Sequence, residues 1–167
     1  MIPTAEFLQL AEACARPVPA ATLLAIARTE SALNPWALSL NRPRQVARAV
    51  GLDGEARLAR QPKSKAEAVR WAQHLEARGL TVSIGLLQIN SEELRRFGIP
   101  IAAAIEPCTN LKLGALLLSY HYRAAGRTGD VAQVPLAEAL SRYNSGDPTM
   151  GVHSGYVGKV FGAAGHR

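Results

Sequence analysis

Segment 110–125 constrains this chain more than any other stretch of it. Read at helical spacing, Leu111, Ala115, Leu118 and Tyr122 share one face while Leu113, Leu116 and Leu117 occupy others. A helix apolar on several faces needs neighbours on several sides. The segment, opened by Pro107 and Thr109, is therefore expected to be the central helix of a mainly helical domain. The neighbours are legible too. Segment 4–15 places Phe7, Leu10, Ala11 and Cys14 on one face. A second helix should start after Pro17 and Pro19 and stop near Asn34, because a residue before proline avoids helical geometry.

Further along, Ser64 with Glu67 forms a capping-box pattern ahead of the stripe Ala68, Trp71, Ala72 and Leu75, and Gly79 supplies a stop. Segment 81–90 reads as extended or looped through Gly85, followed by a short helix from Asn90 or Ser91 to Gly98. Pro135 starts a last clear helix through Leu136, Ala139, Leu140 and Tyr143, closed by the loop 144–148. Segment 35–62 loses helical periodicity and holds Arg42, Arg44, Arg48, Arg57 and Arg60 with Gly51 and Gly54, the pattern of an irregular lobe or short hairpin strands.

A chain of 167 residues fits one compact domain with a sizeable core. With 48% hydrophobic and 19% charged residues it is not a disordered tail, and no stretch approaches the ~20 apolar residues of a membrane span. Nineteen basic against thirteen acidic side chains leave a formal charge of +6, which suits an acidic partner: nucleic acid, anionic lipid headgroups or an anionic polymer such as bacterial cell wall. No long basic run and no interleaved aromatic-basic motif supports nucleic acid. Residues 1–16 carry Glu6 and Glu12 without an early lysine or arginine, so no secretory leader is expected in the chain as read.

His74, His121, His153 and His166 are scattered without ligand spacing, so no metal is expected, and His121 reads as a packing residue. There is no Gly-x-Ser-x-Gly elbow and no phosphate-binding glycine loop, and no cofactor is expected. Cys14 and Cys108, in apolar helical contexts, form either one bridge or two thiols.

One carboxylate stands apart. Glu30 follows Ile26 by four residues, Ala27 by three and Leu23 by seven, which puts it on their apolar face. An unpaired carboxyl there resists ionisation and can serve as a general acid near neutrality. The competing reading is a structural ion pair with Arg28 or Arg95. Two further stretches bear on that choice. Ser83-Ile84-Gly85-Leu86-Leu87-Gln88-Ile89 sets a glycine and a polar Gln88 in apolar surroundings. Ala139-Leu140-Ser141-Arg142-Tyr143-Asn144-Ser145-Gly146 puts a tyrosine and an asparagine where a helix gives way to a loop.

Taken in order, Glu30-Ser31, Gly85 to Ile89 and Ala139 to Gly146 resemble the signature of lytic transglycosylases with a goose-type-lysozyme-like domain. The chain most resembles the specialised transglycosylases of type IV secretion and conjugation systems, through Cys108-Thr109-Asn110-Leu111 and the early helical Cys14. The match spans about 4–161. The resemblance implies a lysozyme-like α+β fold, mainly helical, with a small β or irregular lobe, in a single monomeric domain over 1–167. It implies Glu30 as the single catalytic acid and base, with Ser83, Gln88, Tyr143, Asn144 and Tyr156 holding sugars or orienting Glu30. The expected substrate is peptidoglycan in the periplasm, cleaved between N-acetylmuramic acid and N-acetylglucosamine to open the wall for a secretion apparatus. A bridge between Cys14 and Cys108 is expected with it. Two alternatives are a hydrolytic lysozyme, whose second carboxylate would be Asp53 or Asp147, and a non-catalytic wall-binding module.

Overall fold

A computed structural model describes residues 1–41, 58–125 and 133–165. Helix α1 spans Thr4–Cys14 and α2 spans Ala20–Ser31, each entered through a proline that has no amide to leave unpaired. Strand β1, Leu38–Leu40, follows, and then α3, Lys65–Ala77. The Ser64 side chain accepts from the Glu67 amide, one of the orphan donors of the first turn, while the Glu67 carboxylate accepts from the Lys63 amide just ahead of the cap.

Strands β2, Val82–Ile84, and β3, Ile89–Asn90, make with β1 an antiparallel sheet of order β1-β2-β3, in which Ser39 pairs with Ser83 and Ser83 with Asn90. Helix α4, Ser91–Phe97, is capped by Asn90 at its start and by Gly98, at φ 66°, at its end. Helix α5, Ile101–Ala104, leads into the long α6, Pro107–Ala125, and α7, Gln133–Ser145, packs back on it. Two short helices close the chain, α8 at Met150–His153 and α9 at Tyr156–Ala163. The mainly helical architecture with a small β lobe is the expected one.

The core joins Phe7, Leu23, Ile26, Ile84, Leu111 and Leu140, so α6 and the sheet share one interior with α1, α2 and α7. The Cys14–Cys108 bridge, with Cα atoms 5.4 Å apart, ties the end of α1 to the first turn of α6.

Three expectations need correction. Helix α2 stops at Ser31, before Asn34, because Ala32 and Leu33 take left-handed φ angles of 50° and 62°. There the chain reverses: Leu33 O accepts from the Ile2 amide, and the Asn34 side chain accepts from the Trp36 amide. Helix α6 starts at Pro107, three residues before the expected 110, and is not enclosed on all sides. Leu116 and Tyr120 are 67% and 69% exposed, and Tyr122 is 43% exposed, because α1 and α7 cover only part of its circumference. Helix α7 begins two residues before Pro135, which sits in its first turn, where an absent amide costs little. Of the arginine-rich segment expected as a lobe, Leu38–Leu40 is a strand, Arg60 lies beside Glu67 and over the Trp71 ring, and residues 42–57 lie outside the described residues.

Candidate active site

Glu30 stands in the last turn of α2, on the face that buries Leu23, Ile26 and Ala27. Burial pushes its carboxyl pKa up, and a hydrogen bond from the Tyr156 hydroxyl to Oε1, at 2.6 Å, partly opposes that rise. The ion-pair reading is not what the structure contains. Arg28 donates to Ala163 O at 3.3 Å, and Arg95 lies against Glu76 and Glu92. Among the described residues Glu30 has no cationic partner.

The turn between β2 and β3 faces Glu30 and is held by side chains from three helices. Ser31 Oγ lies 2.8 Å from Leu86 O. Tyr143 donates to Leu87 O at 2.7 Å, and its phenol pKa is pushed well up by burial and by the nearby Glu30 carboxylate. Asn110 of α6, wholly buried, accepts from the Leu87 amide and donates to Ile84 O and Ala104 O. Gly85, at φ 80°, packs against that amide; a Cβ there would come within 2.3 Å of Asn110 Nδ2.

From this turn Gln88, at φ 48°, projects into an open groove of about 330 Å³ shared with Glu30, Asn34, Ala37, Ser39 and Gln61. Its Nε2 donates to Ala37 O and Gly85 O, and its Oε1 accepts from Ser39 Oγ at 2.7 Å. Both amide protons of Gln88 are thus committed within the protein. The Ser39 proton is committed as well, which leaves that exposed hydroxyl as an acceptor toward the groove. Gln61 bonds both the N–H and the C=O of Leu38 at the open edge of β1, at 2.8 and 2.9 Å.

Of the residues expected at the site, Glu30, Gln88, Tyr143 and Tyr156 come together. Ser83 does not join them: it is buried in the middle strand, and its hydroxyl accepts from Asn41 at 2.6 Å. Asn144 is exposed in the last turn of α7, outside the residues that line the groove. Sequence reasoning passed over Ser39 and Gln61, which no local pattern marks. It quoted Asn110 without a role, although a polar amide four residues before Gly114 on an apolar helix was a usable signal. Asp147 uses its carboxylate to hold the Thr149 and Met150 amides at the start of α8. Asp53 lies outside the described residues. No cluster of three or more potential metal ligands occurs among the described residues.

Residues 7–160, which include Glu30, Gln88, Asn110, Tyr143 and Tyr156, match the family model described as the Transglycosylase SLT domain. The chain belongs to the SLT transglycosylase family. This SLT domain is 38% identical over 164 residues to the Type IV secretion system protein virB1 of Brucella suis biovar 1, covering 95% of this chain and 63% of that protein. It is 40% identical over 160 residues to the protein virB1 of Agrobacterium fabrum, covering 96% and 60%. To that of Rhizobium radiobacter it is 34% identical over 170 residues, covering 96% and 62%. The SLT domain therefore spans about three-fifths of the length of these relatives. No solved structure matches it.

Proposed function

We propose that this SLT domain is a peptidoglycan lytic transglycosylase, cutting the β-1,4 bond between N-acetylmuramic acid and N-acetylglucosamine without consuming water. The observation that carries the reading is Glu30: an apolar-faced carboxyl, bonded by a phenol, and the sole carboxylate among the described residues that line the groove. A hydrolytic glycosidase ordinarily needs two carboxyl groups, one for the leaving oxygen and one for water or the sugar. One suffices when the substrate supplies the nucleophile.

Because Tyr156 donates to Oε1, the proton of neutral Glu30 resides on Oε2. Glu30 gives this proton to the glycosidic oxygen as the bond from that oxygen to the anomeric carbon breaks. The carbonyl oxygen of the muramyl acetamido group supports the positive charge that develops at that carbon. The 6-hydroxyl of the same sugar then bonds to the anomeric carbon, and its proton passes to the Glu30 carboxylate, restoring the acid. The product carries a 1,6-anhydro end, and no water enters. Ser39, presenting lone pairs, can accept a donor of the sugar, and Gln88 keeps that hydroxyl aligned, an advantage of orientation.

The setting belongs to the same proposal. The net charge of +6 suits an anionic polymer. The likeness to a protein named for type IV secretion supports a periplasmic enzyme that opens the wall for a secretion or conjugation apparatus. No described helix is long and apolar enough to cross a membrane. Digestion of purified peptidoglycan in labelled water, read by mass spectrometry, tests the chemistry. Fragments lighter by one water than lysozyme products, without label, are expected. Labelled reducing ends would move the answer to a hydrolase, and absence of any cleavage to a wall-binding module.

A further inference from the structure

The turn that delivers Gln88 is gripped at one residue above all. Leu87 gives its amide to Asn110 Oδ1 at 2.8 Å and takes the Tyr143 hydroxyl on its carbonyl. Its side chain lies over Gly114, one helical turn beyond Asn110 on the same face of α6. A Cβ at Gly114 would approach Leu87 Cδ1 to 2.3 Å, Leu87 Cβ to 3.0 Å and the Tyr143 hydroxyl to 3.1 Å. No side chain larger than hydrogen fits there without displacing Leu87. Asn110 spends its two protons on Ile84 O and Ala104 O, so the amide cannot rotate without losing all three bonds together.

We propose that Asn110 and Gly114 form a positioning socket on α6 that seats Leu87 and thereby sets Gln88 and Ser39 in the groove lined by Glu30. The chain of contacts is short. Seating Leu87 fixes the backbone on one side of Gln88, whose left-handed φ of 48° is otherwise unfavourable for a residue with a Cβ. In that conformation its carboxamide reaches Ala37 O and Gly85 O and receives the Ser39 proton. Loosening Leu87 frees Gln88 to relax and Ser39 to turn its proton toward the substrate. Asn110 and Gly114 meet none of the groove themselves, so they act through Gln88 and are not catalytic residues. The proposal rests on the transglycosylase reading for its kinetic readout but not for its structural one.

Gly114→Ala is the sharper probe, since alanine is the better helix former and the change strains only the contacts with Leu87 and with the Tyr143 hydroxyl that holds it. On purified peptidoglycan it should lower kcat at least tenfold while KM changes less than threefold. Asn110→Ala should do the same, and Leu118→Ala, a core change on α6 away from the groove, should leave kcat within twofold. In a Gln88→Ala background the Gly114→Ala loss should shrink to under threefold, because the two changes act on one element. In the unaltered protein the Leu87 amide should exchange with solvent as slowly as the α6 core. The socket is refuted if folded Gly114→Ala keeps the kcat of the unaltered protein, if its loss multiplies with that of Gln88→Ala, or if the Leu87 amide exchanges freely. Absence of anhydro product from the unaltered protein would instead overturn the functional reading, and amide exchange would still decide the socket.

Discussion

Tyr156, the first residue of α9, donates its hydroxyl proton to Glu30 Oε1 at 2.6 Å across 126 residues of chain. The two groups pull on each other in opposite senses. The phenol partly offsets the burial that raises the carboxyl pKa, and burial, aided by the carboxylate, pushes the phenol pKa far above its ordinary value.

Replacing Glu30 by glutamine should abolish turnover and stabilise the fold at neutral and higher pH. With a raised folded pKa, the stability tied to this group is fully present below the unfolded value of about 4.3 and is lost as pH rises through the folded value. The amide has no such loss. Calorimetry should show Glu30→Gln melting with wild type near pH 4 and above it at pH 8, by about 2–4 °C for each kcal/mol recovered. A gain equal at both pH values would mean that Glu30 is not held protonated by burial.

Tyr156→Phe removes the hydrogen bond that favours the charged carboxyl, so the Glu30 pKa should climb further. On the proposed mechanism activity requires protonated Glu30, so the alkaline limb of the kcat profile should move to higher pH while the maximum falls roughly tenfold for lost orientation. An unmoved limb would sever Tyr156 from the acid.

Tyr143→Phe should be milder than either. It deletes the donor to Leu87 O, at a cost of about 1 kcal/mol and so about 2–4 °C in Tm. Turnover should persist at a reduced kcat, and a loss as complete as that of Glu30→Gln would place Tyr143 in proton transfer.

Cys14→Ser with Cys108→Ser should destabilise the protein by roughly 4–5 kcal/mol, the chain-entropy value for a loop of this size. The bridged positions are 94 residues apart. Urea unfolding measures the change. Intact mass after alkylation, with and without prior reduction, should show two reactive thiols only in the reduced sample.

The helices were legible because their ends carry chemical marks: prolines before α2, the Ser64 box before α3, Gly98 after α4. Glu30 could be singled out from its apolar spacing and Gln88 from the glycine beside it. The sheet was harder, since its strands are two or three residues long and are fixed by side chains from elsewhere, such as Asn110 and Gln61, rather than by a period of their own. The left-handed turns at Ala32, Leu33 and Gln88 use no glycine and so leave no mark. Ser39 and Ser83 show the same limit. They lie directly opposite one another, but β1 is the outer strand and β2 the middle one, a distinction that belongs to the pairing order and to neither local sequence.

The bridge divides the molecule in a way that neither fold nor groove suggests. It closes a covalent ring that contains Glu30, Ser39, Gln61 and Gln88, while Asn110, Gly114, Tyr143 and Tyr156 all belong to the tail beyond Cys108. The ring supplies the residues that line the groove, and from the tail Tyr156 bonds Glu30 while Asn110 and Tyr143 hold Leu87. The tail is thus a separable cassette: exchanging it between relatives would change the hydrogen-bond partners of Glu30 and Leu87 while the residues that line the groove stay the same.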